Sequence, residues 1–126
     1  IIGAAIEVQK CLGPGLLEQA YEACLAHELT LRGLRVMRQV GLDLTYKGLE
    51  VPQAFRMDLV VEGSVVVELK AVESLLPEHE AQILSYLQFS SLPVGLLFNL
   101  KTAPLMPKGF RRFTRTRSGS FSASSA

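Results

Sequence analysis

Three charged residues interrupt an apolar stretch in a pattern that could do chemistry. Asp58 is separated by nine residues from Glu68, and Lys70 comes next but one, all within FRMDLVVEGSVVVELKA, Phe55 to Ala71. Charged groups among so many apolar neighbours are costly unless they face water, pair, or hold a metal. Two carboxylates that face each other repel unless a proton or a cation lies between them. A hard divalent ion with oxygen ligands, Mg2+ or Mn2+, fits such a pair. The plain alternative is a surface salt bridge across two strands.

Two strands must bring these residues together. β-branched runs on either side of Glu62-Gly63 predict a hairpin. Side chains alternate along a strand, so Glu68 and Lys70 share a face. A two-residue turn would set Asp58 opposite Val67, on the wrong face. A three-residue loop, Glu62-Gly63-Ser64, sets Asp58 opposite Glu68 with Cβ atoms roughly 5 Å apart. Gly63 could supply the left-handed residue that such a loop needs.

Two helices contribute further candidates. The first bears Gly15-Leu16-Leu17-Glu18-Gln19-Ala20-Tyr21, and the second bears Gln82 and Tyr86, four apart on one face. Taken alone, Glu18 is explained by the favourable helix dipole of a first turn. Tyr21 and Tyr86 read equally as core residues, and Gln82 as a solvent-facing one.

Taken together, these motifs resemble the PD-(D/E)XK nuclease superfamily. Asp58 followed by Glu68-x-Lys70 matches its signature, and the segment from Gly15 to Tyr21 resembles the name motif of the GxxExxY proteins within it. Gln82-x-x-x-Tyr86 resembles the helix motif that follows the ExK strand in RecB-like nucleases. Phe55 stands where RecB-like relatives usually have Gly.

The resemblance covers Ile1 to about Arg112. It implies a restriction-endonuclease-like α-β-β-β-α-β core behind an extra N-terminal helix. The residue pattern alone gives only α+β with a mixed sheet. Asp58, Glu68 and the Leu69 carbonyl would then ligate Mg2+ or Mn2+. Glu18 would complete the carboxylate shell, and Lys70 would sit beside the metal-bound water, in electrostatic positioning rather than as a general base. Gln82, Tyr86 and Tyr21 would line the substrate groove. Arg56, two residues from Asp58 on the same face, could touch a substrate phosphate and could equally pair with a carboxylate. The implied activity is metal-dependent hydrolysis of phosphodiester bonds in DNA or RNA. Two alternatives stay open: a nucleic-acid-binding module with little cleavage, and an interaction protein whose acidic face meets a partner. A homodimer or a separate protein partner also stays open.

The 126 residues suit one domain with a real core. Residues 1–113 read as that domain, and the Ser-rich 114–126 as a disordered tail. The order along the chain reads α-α-β-β-β-α-β, with a short edge strand at 110–113. No apolar run is long enough for a membrane span. The opening IIGAAIEV is interrupted by Glu7 and Lys10, which makes a poor signal peptide. It lacks Met, so residues before Ile1 are expected. Cys11 and Cys24 have no zinc-ligand spacing and read as buried free thiols of a cytoplasmic protein.

Charge is unevenly spread. All 12 acidic residues lie in positions 1–80, against 7 basic ones, while 81–126 hold 6 basic residues and no acidic one. The basic set, Lys101, Lys108, Arg111, Arg112, Arg115 and Arg117, would attract a phosphate backbone. It reads equally as a solvated flank. His27 reads as a surface residue. His79, in the first turn of the helix bearing Gln82, could approach a phosphate.

Overall fold

The β-branched runs around Gly63 form the centre of a mixed sheet in the structure, a computed structural model that describes residues 1–116 and 119–124. Two helices come first, α1 (Ile2–Leu12) and α2 (Glu18–Leu31). Strands β1 (Val36–Tyr46), β2 (Leu49–Val61) and β3 (Val65–Lys70) form an antiparallel meander. Helix α3 (Pro77–Ser90) crosses over to β4 (Val94–Asn99), which runs parallel to β3 from Val65↔Val94 to Lys70↔Asn99. Strands β5 (Phe110–Arg115) and β6 (Phe121–Ser124) complete a six-stranded sheet whose spatial order follows the sequence. This is the α+β fold expected of a restriction-endonuclease-like domain.

Helices cover both faces of the central strands. On one face α1 and α2 bury Ala5, Tyr21, Leu25 and Leu29 against Leu59, Val67, Leu69 and Phe98. On the other, Ile83, Tyr86 and Leu87 of α3 pack on Met57, Val60, Val66 and Leu97. The inward face of α2 is therefore Tyr21-Leu25-Leu29. A stripe of Leu17, Ala20, Cys24 and Leu31 is what the sequence suggests, but Leu17 and Leu31 are exposed. Cys11 is exposed and Cys24 half-buried, and both are free, so Cys11 departs from the expected buried thiol.

The end of the chain also differs from expectation. β5 continues to Arg115 and is not an edge strand, because β6 pairs outside it from Arg112↔Ser124 to Arg115↔Phe121. A strand thus occupies Phe121–Ser124, where the composition suggests a disordered tail from Thr114. Phe121 is the reason: it packs on the α3-side core, and the Arg115 guanidinium lies over its ring at 4.9 Å. Residues 117, 118, 125 and 126 lie outside the described residues, and Arg117 with them. Among the described residues no helix is long and apolar enough to cross a membrane.

Candidate active site

The hairpin loop is the three-residue one, Glu62-Gly63-Ser64, and its register pairs Val61↔Val65, Val60↔Val66 and Leu59↔Val67. Glu62 and Gly63 are both left-handed, with φ of 54° and 61°. Asp58 and Glu68 are next in that register, and there the ladder stops. The Leu69 N–H goes to Asp58 Oδ2 at 2.9 Å, so a side chain replaces the next cross-strand carbonyl.

The neighbouring strand also breaks at this level. Residues two apart on a regular strand share a face. Yet Met57 packs on the α3 side and Leu59 on the α1/α2 side, so alternation fails at Asp58. Opposite it, Gln39 of β1 is left-handed (φ 51°), and the β1–β2 pairing skips from Arg38↔Leu59 to Val40↔Met57. Asp58 therefore sits where both ladders open, free to turn its carboxylate toward β3.

Glu68 is 3% exposed, and its Oε2 is buried without a hydrogen-bond partner. Burial, and then the Asp58 carboxylate beside it, push its carboxyl up to about 10. The Lys70 ammonium and the Tyr86 hydroxyl pull the other way and are outweighed. Burial and the nearby carboxylates also raise the Tyr86 phenol. A buried carboxyl with an orphaned oxygen, facing a second carboxylate, either keeps a proton or takes a cation. That donor set fits a hard divalent ion: two carboxylates and the adjacent backbone at Leu69. Among the described residues no three His, Cys, Asp or Glu side chains gather as a metal cluster. The pair forms, and Glu18 does not join it as a third direct carboxylate.

Glu18 is nonetheless at the site's border. The N-terminus of α2 meets the end of β3, and Glu18 Oε1 accepts the Ala71 N–H at 3.2 Å. Tyr21 is placed elsewhere than the groove suggested for it. It is fully buried, and its hydroxyl donates to the Gly13 carbonyl and accepts from the Leu16 N–H at 3.1 Å, tying the α1–α2 loop. Tyr86 is 2% exposed and donates to the Arg56 carbonyl at 2.9 Å, so it supports Glu68 and β2 from inside. Gln82 is half-buried one turn before it, and Arg56 is exposed. His79 Nδ1 accepts the Leu76 N–H at 2.9 Å and so caps α3.

Much of the basic flank is engaged in the fold. Lys101 pairs with Glu73 at 2.6 Å, and Arg111 with Glu80 at 3.7 Å. Arg115 donates to the Leu87 carbonyl at the end of α3. Arg112 lies over Phe110, on the α1/α2 side of the sheet, away from Glu68. The expected common surface for a phosphate backbone is therefore split between two faces.

Three residues without a motif prove to shape the site. Glu22, 5% exposed, reaches from α2 to the kink of β1. Its Oε2 accepts from Arg38 at 2.9 and 3.2 Å, and its Oε1 accepts from Gln39. Asn99 and Gln9, both buried, bind the segments after β3 and β4. For Asn99 the one available signal was a polar residue closing the apolar run Val94–Phe98.

A family model described as the PD-(D/E)XK nuclease superfamily matches residues 1–113. No curated protein and no solved structure matches the chain.

Proposed function

Because the chain belongs to the PD-(D/E)XK nuclease superfamily, we propose that it is a metal-dependent nuclease of the GxxExxY group, acting at Asp58, Glu68 and Lys70. The observation that carries this reading is the buried, unpartnered Oε2 of Glu68 beside the Asp58 carboxylate. A fold that needed only stability would pair that oxygen or replace it with an apolar group. Superfamily membership supports the same reading, since these nucleases are generally dependent on a divalent metal.

Asp58, Glu68 and the Leu69 carbonyl would hold Mg2+ or Mn2+. When bound, the ion would acidify a water and stabilise negative charge on a phosphate. Asp58 is oriented by the Leu69 N–H, and Glu68, as a carboxylate, would supply the second ligand oxygen. The Lys70 ammonium, on the same strand face as Glu68, attracts the scissile phosphate and the charge that develops on it. Glu18 lies one residue beyond Lys70 by its Ala71 bond and would orient a water of the ion's hydration shell. Arg56 and Gln82 would meet the backbone on either side.

The test is cleavage of labelled single-stranded DNA, double-stranded DNA and RNA in Mg2+ or Mn2+, beside EDTA and Lys70→Ala controls. Cleavage of at least one substrate is expected; it should vanish in EDTA and fall at least ~100-fold, to a residual rate, in Lys70→Ala. Cleavage that persists in EDTA, or no cleavage together with no Asp58- and Glu68-dependent Mn2+ binding, would sink the reading.

A further inference from the structure

Lys70 is the last residue of β3, and strand ends fray unless something ties them. Here each residue from Lys70 to Glu73 is held by a different partner group. The Lys70 carbonyl accepts the Leu100 N–H at 2.9 Å. The Ala71 N–H donates to Glu18 at 3.2 Å. Val72 is gripped at both backbone groups by one side chain: its N–H donates to Asn99 Oδ1 at 3.1 Å, and its carbonyl accepts from Asn99 Nδ2 at 2.8 Å. The Glu73 carboxylate meets Lys101 Nζ at 2.6 Å.

Asn99 is the centre of this arrangement. It is fully buried and is the Cα partner of Lys70 in the parallel ladder. Its Nδ2 also donates to Thr102 Oγ1 at 3.0 Å, and its Oδ1 accepts the Lys101 N–H at 3.3 Å. Gln9 of α1 fixes the same loop by donating to the carbonyls of Leu100 and Thr102, at 2.9 and 2.6 Å. Gripping one residue at both its N–H and its carbonyl requires a donor and an acceptor on one flat group. A carboxamide has both, a carboxylate has only acceptors, and an apolar side chain has neither. The Asn99 side chain thus continues the β3–β4 pairing two residues past the strand's end.

We propose that Asn99 is a positioning residue: by gripping Val72 it holds the end of β3, and so keeps the Lys70 ammonium in line with Asp58 and Glu68. This rests on the nuclease reading, because it assigns Asn99 a role in that reaction. Displacing a reacting group by about 1 Å costs on the order of 100-fold in rate. Asp58 and Glu68 lie before the clamp and keep their own supports.

The experiment is steady-state cleavage and Mn2+ calorimetry on wild type, Asn99→Ala, Lys70→Ala and the double variant. Asn99→Ala should lower kcat about 10- to 100-fold with KM little changed. Its Mn2+ affinity should stay within about twofold of wild type, and it should add nothing in the Lys70→Ala background, as expected of residues that act as a unit. A merely structural role predicts joint loss of Mn2+ affinity and rate, with effects that add in the double variant. Either result, or a wild-type rate in Asn99→Ala, would overturn the proposal. Should Asn99→Ala fail to fold, Asn99→Asp keeps the acceptor for the Val72 N–H and takes its place. Wild type without metal-dependent cleavage would remove the nuclease reading and this role with it. Normal wild-type cleavage with an unaffected Asn99 variant would remove only this role.

Discussion

Glu22 and Glu68 are both almost fully buried, at 5% and 3% exposure, and their surroundings are opposite. Glu22 has both oxygens engaged, one by the Arg38 guanidinium and one by the Gln39 amide. Glu68 has an oxygen with no partner and a second carboxylate for a neighbour. The first arrangement satisfies a buried charge and is what stability requires. The second leaves the molecule less stable than an apolar or amide side chain would, and makes sense where a ligand supplies what is missing. Burial alone does not mark a functional carboxylate; what marks it is burial with an unmet demand. The β1 kink held by Glu22 lies opposite Asp58, where the β1–β2 pairing skips.

The contrast predicts opposite outcomes for the same substitution. Glu68→Gln should lower metal-dependent cleavage by at least ~100-fold, the scale on which a preorganised charge contributes to catalysis. It should also raise the metal-free melting temperature, since it removes a buried carboxyl that lacks a partner. Activity assays with thermal melts in EDTA would show both. Glu22→Gln should retain most of the cleavage. If Glu22→Gln lost cleavage as severely while melting normally, the division between the two glutamates would be wrong.

The pH dependence of stability sharpens the same contrast. The Glu68 carboxyl is raised from 4.5 to about 10 on folding. Between those values the native state holds a proton that the unfolded chain has lost. Its contribution is therefore fully present below about pH 4.5, and it falls as pH rises toward about 10, by at most ~1.4 kcal/mol per pH unit. Denaturant melts in EDTA at pH 6, 7.5 and 9 should show wild type losing stability relative to Glu68→Gln as pH rises. A parallel offset at all three would show that Glu68 ionises at the same pH in both states. Calorimetry of Mn2+ binding in buffers of different ionisation enthalpy should, near pH 7.5, show about one proton released per ion.

The third effect is smaller and falls on the other residue. Glu22→Gln keeps an oxygen for Gln39 but loses the charge that Arg38 faces. Arg38 is itself 48% exposed, so water compensates in part. The expected loss is about 1–2 kcal/mol, read from urea melts, with Mn2+ affinity kept. A larger loss accompanied by weaker Mn2+ binding would mean that the β1 kink controls the metal pair directly.

The parts of this site that obey strand geometry were legible in the sequence. Period-two alternation together with Gly63 selects the three-residue loop, and the loop alone sets the register that brings Asp58 toward Glu68. The helix between two strands similarly suggests that the next strand joins the sheet beside an earlier one, and the structure pairs it in parallel with β3. What depends on side chains reaching between distant segments was not legible. Gln9 finds Leu100, and Asn99 finds Val72, across separations that no local pattern encodes. Tyr21 and Tyr86 fit a motif, yet the motif does not say that their hydroxyls face inward to backbone carbonyls. The strand at Phe121–Ser124 was not legible for a different reason. Its Ser-rich composition argues for disorder, but one aromatic, Phe121, and a left-handed Gly119 suffice to return a short strand to an edge that β5 already offers.

Glu18 falls between the two buried glutamates and gives the finest test. It is exposed, it stands in the segment that resembles the GxxExxY motif, and its one described bond is to the Ala71 N–H. An amide at this position keeps an oxygen that can accept that N–H, so Glu18→Gln should leave stability within about 0.5 kcal/mol of wild type. With no third carboxylate among the described residues gathered at the Asp58–Glu68 pair, Mn2+ affinity should stay close to wild type, and the cleavage rate should fall about tenfold, the low end for a group that acts on a metal site from its outer shell. Loss of Mn2+ binding comparable to that of Glu68→Gln would mean that Glu18 moves onto the ion when it binds. The α2 N-terminus would then have to release Ala71, a change that amide hydrogen exchange at Ala71 with and without Mn2+ would show directly.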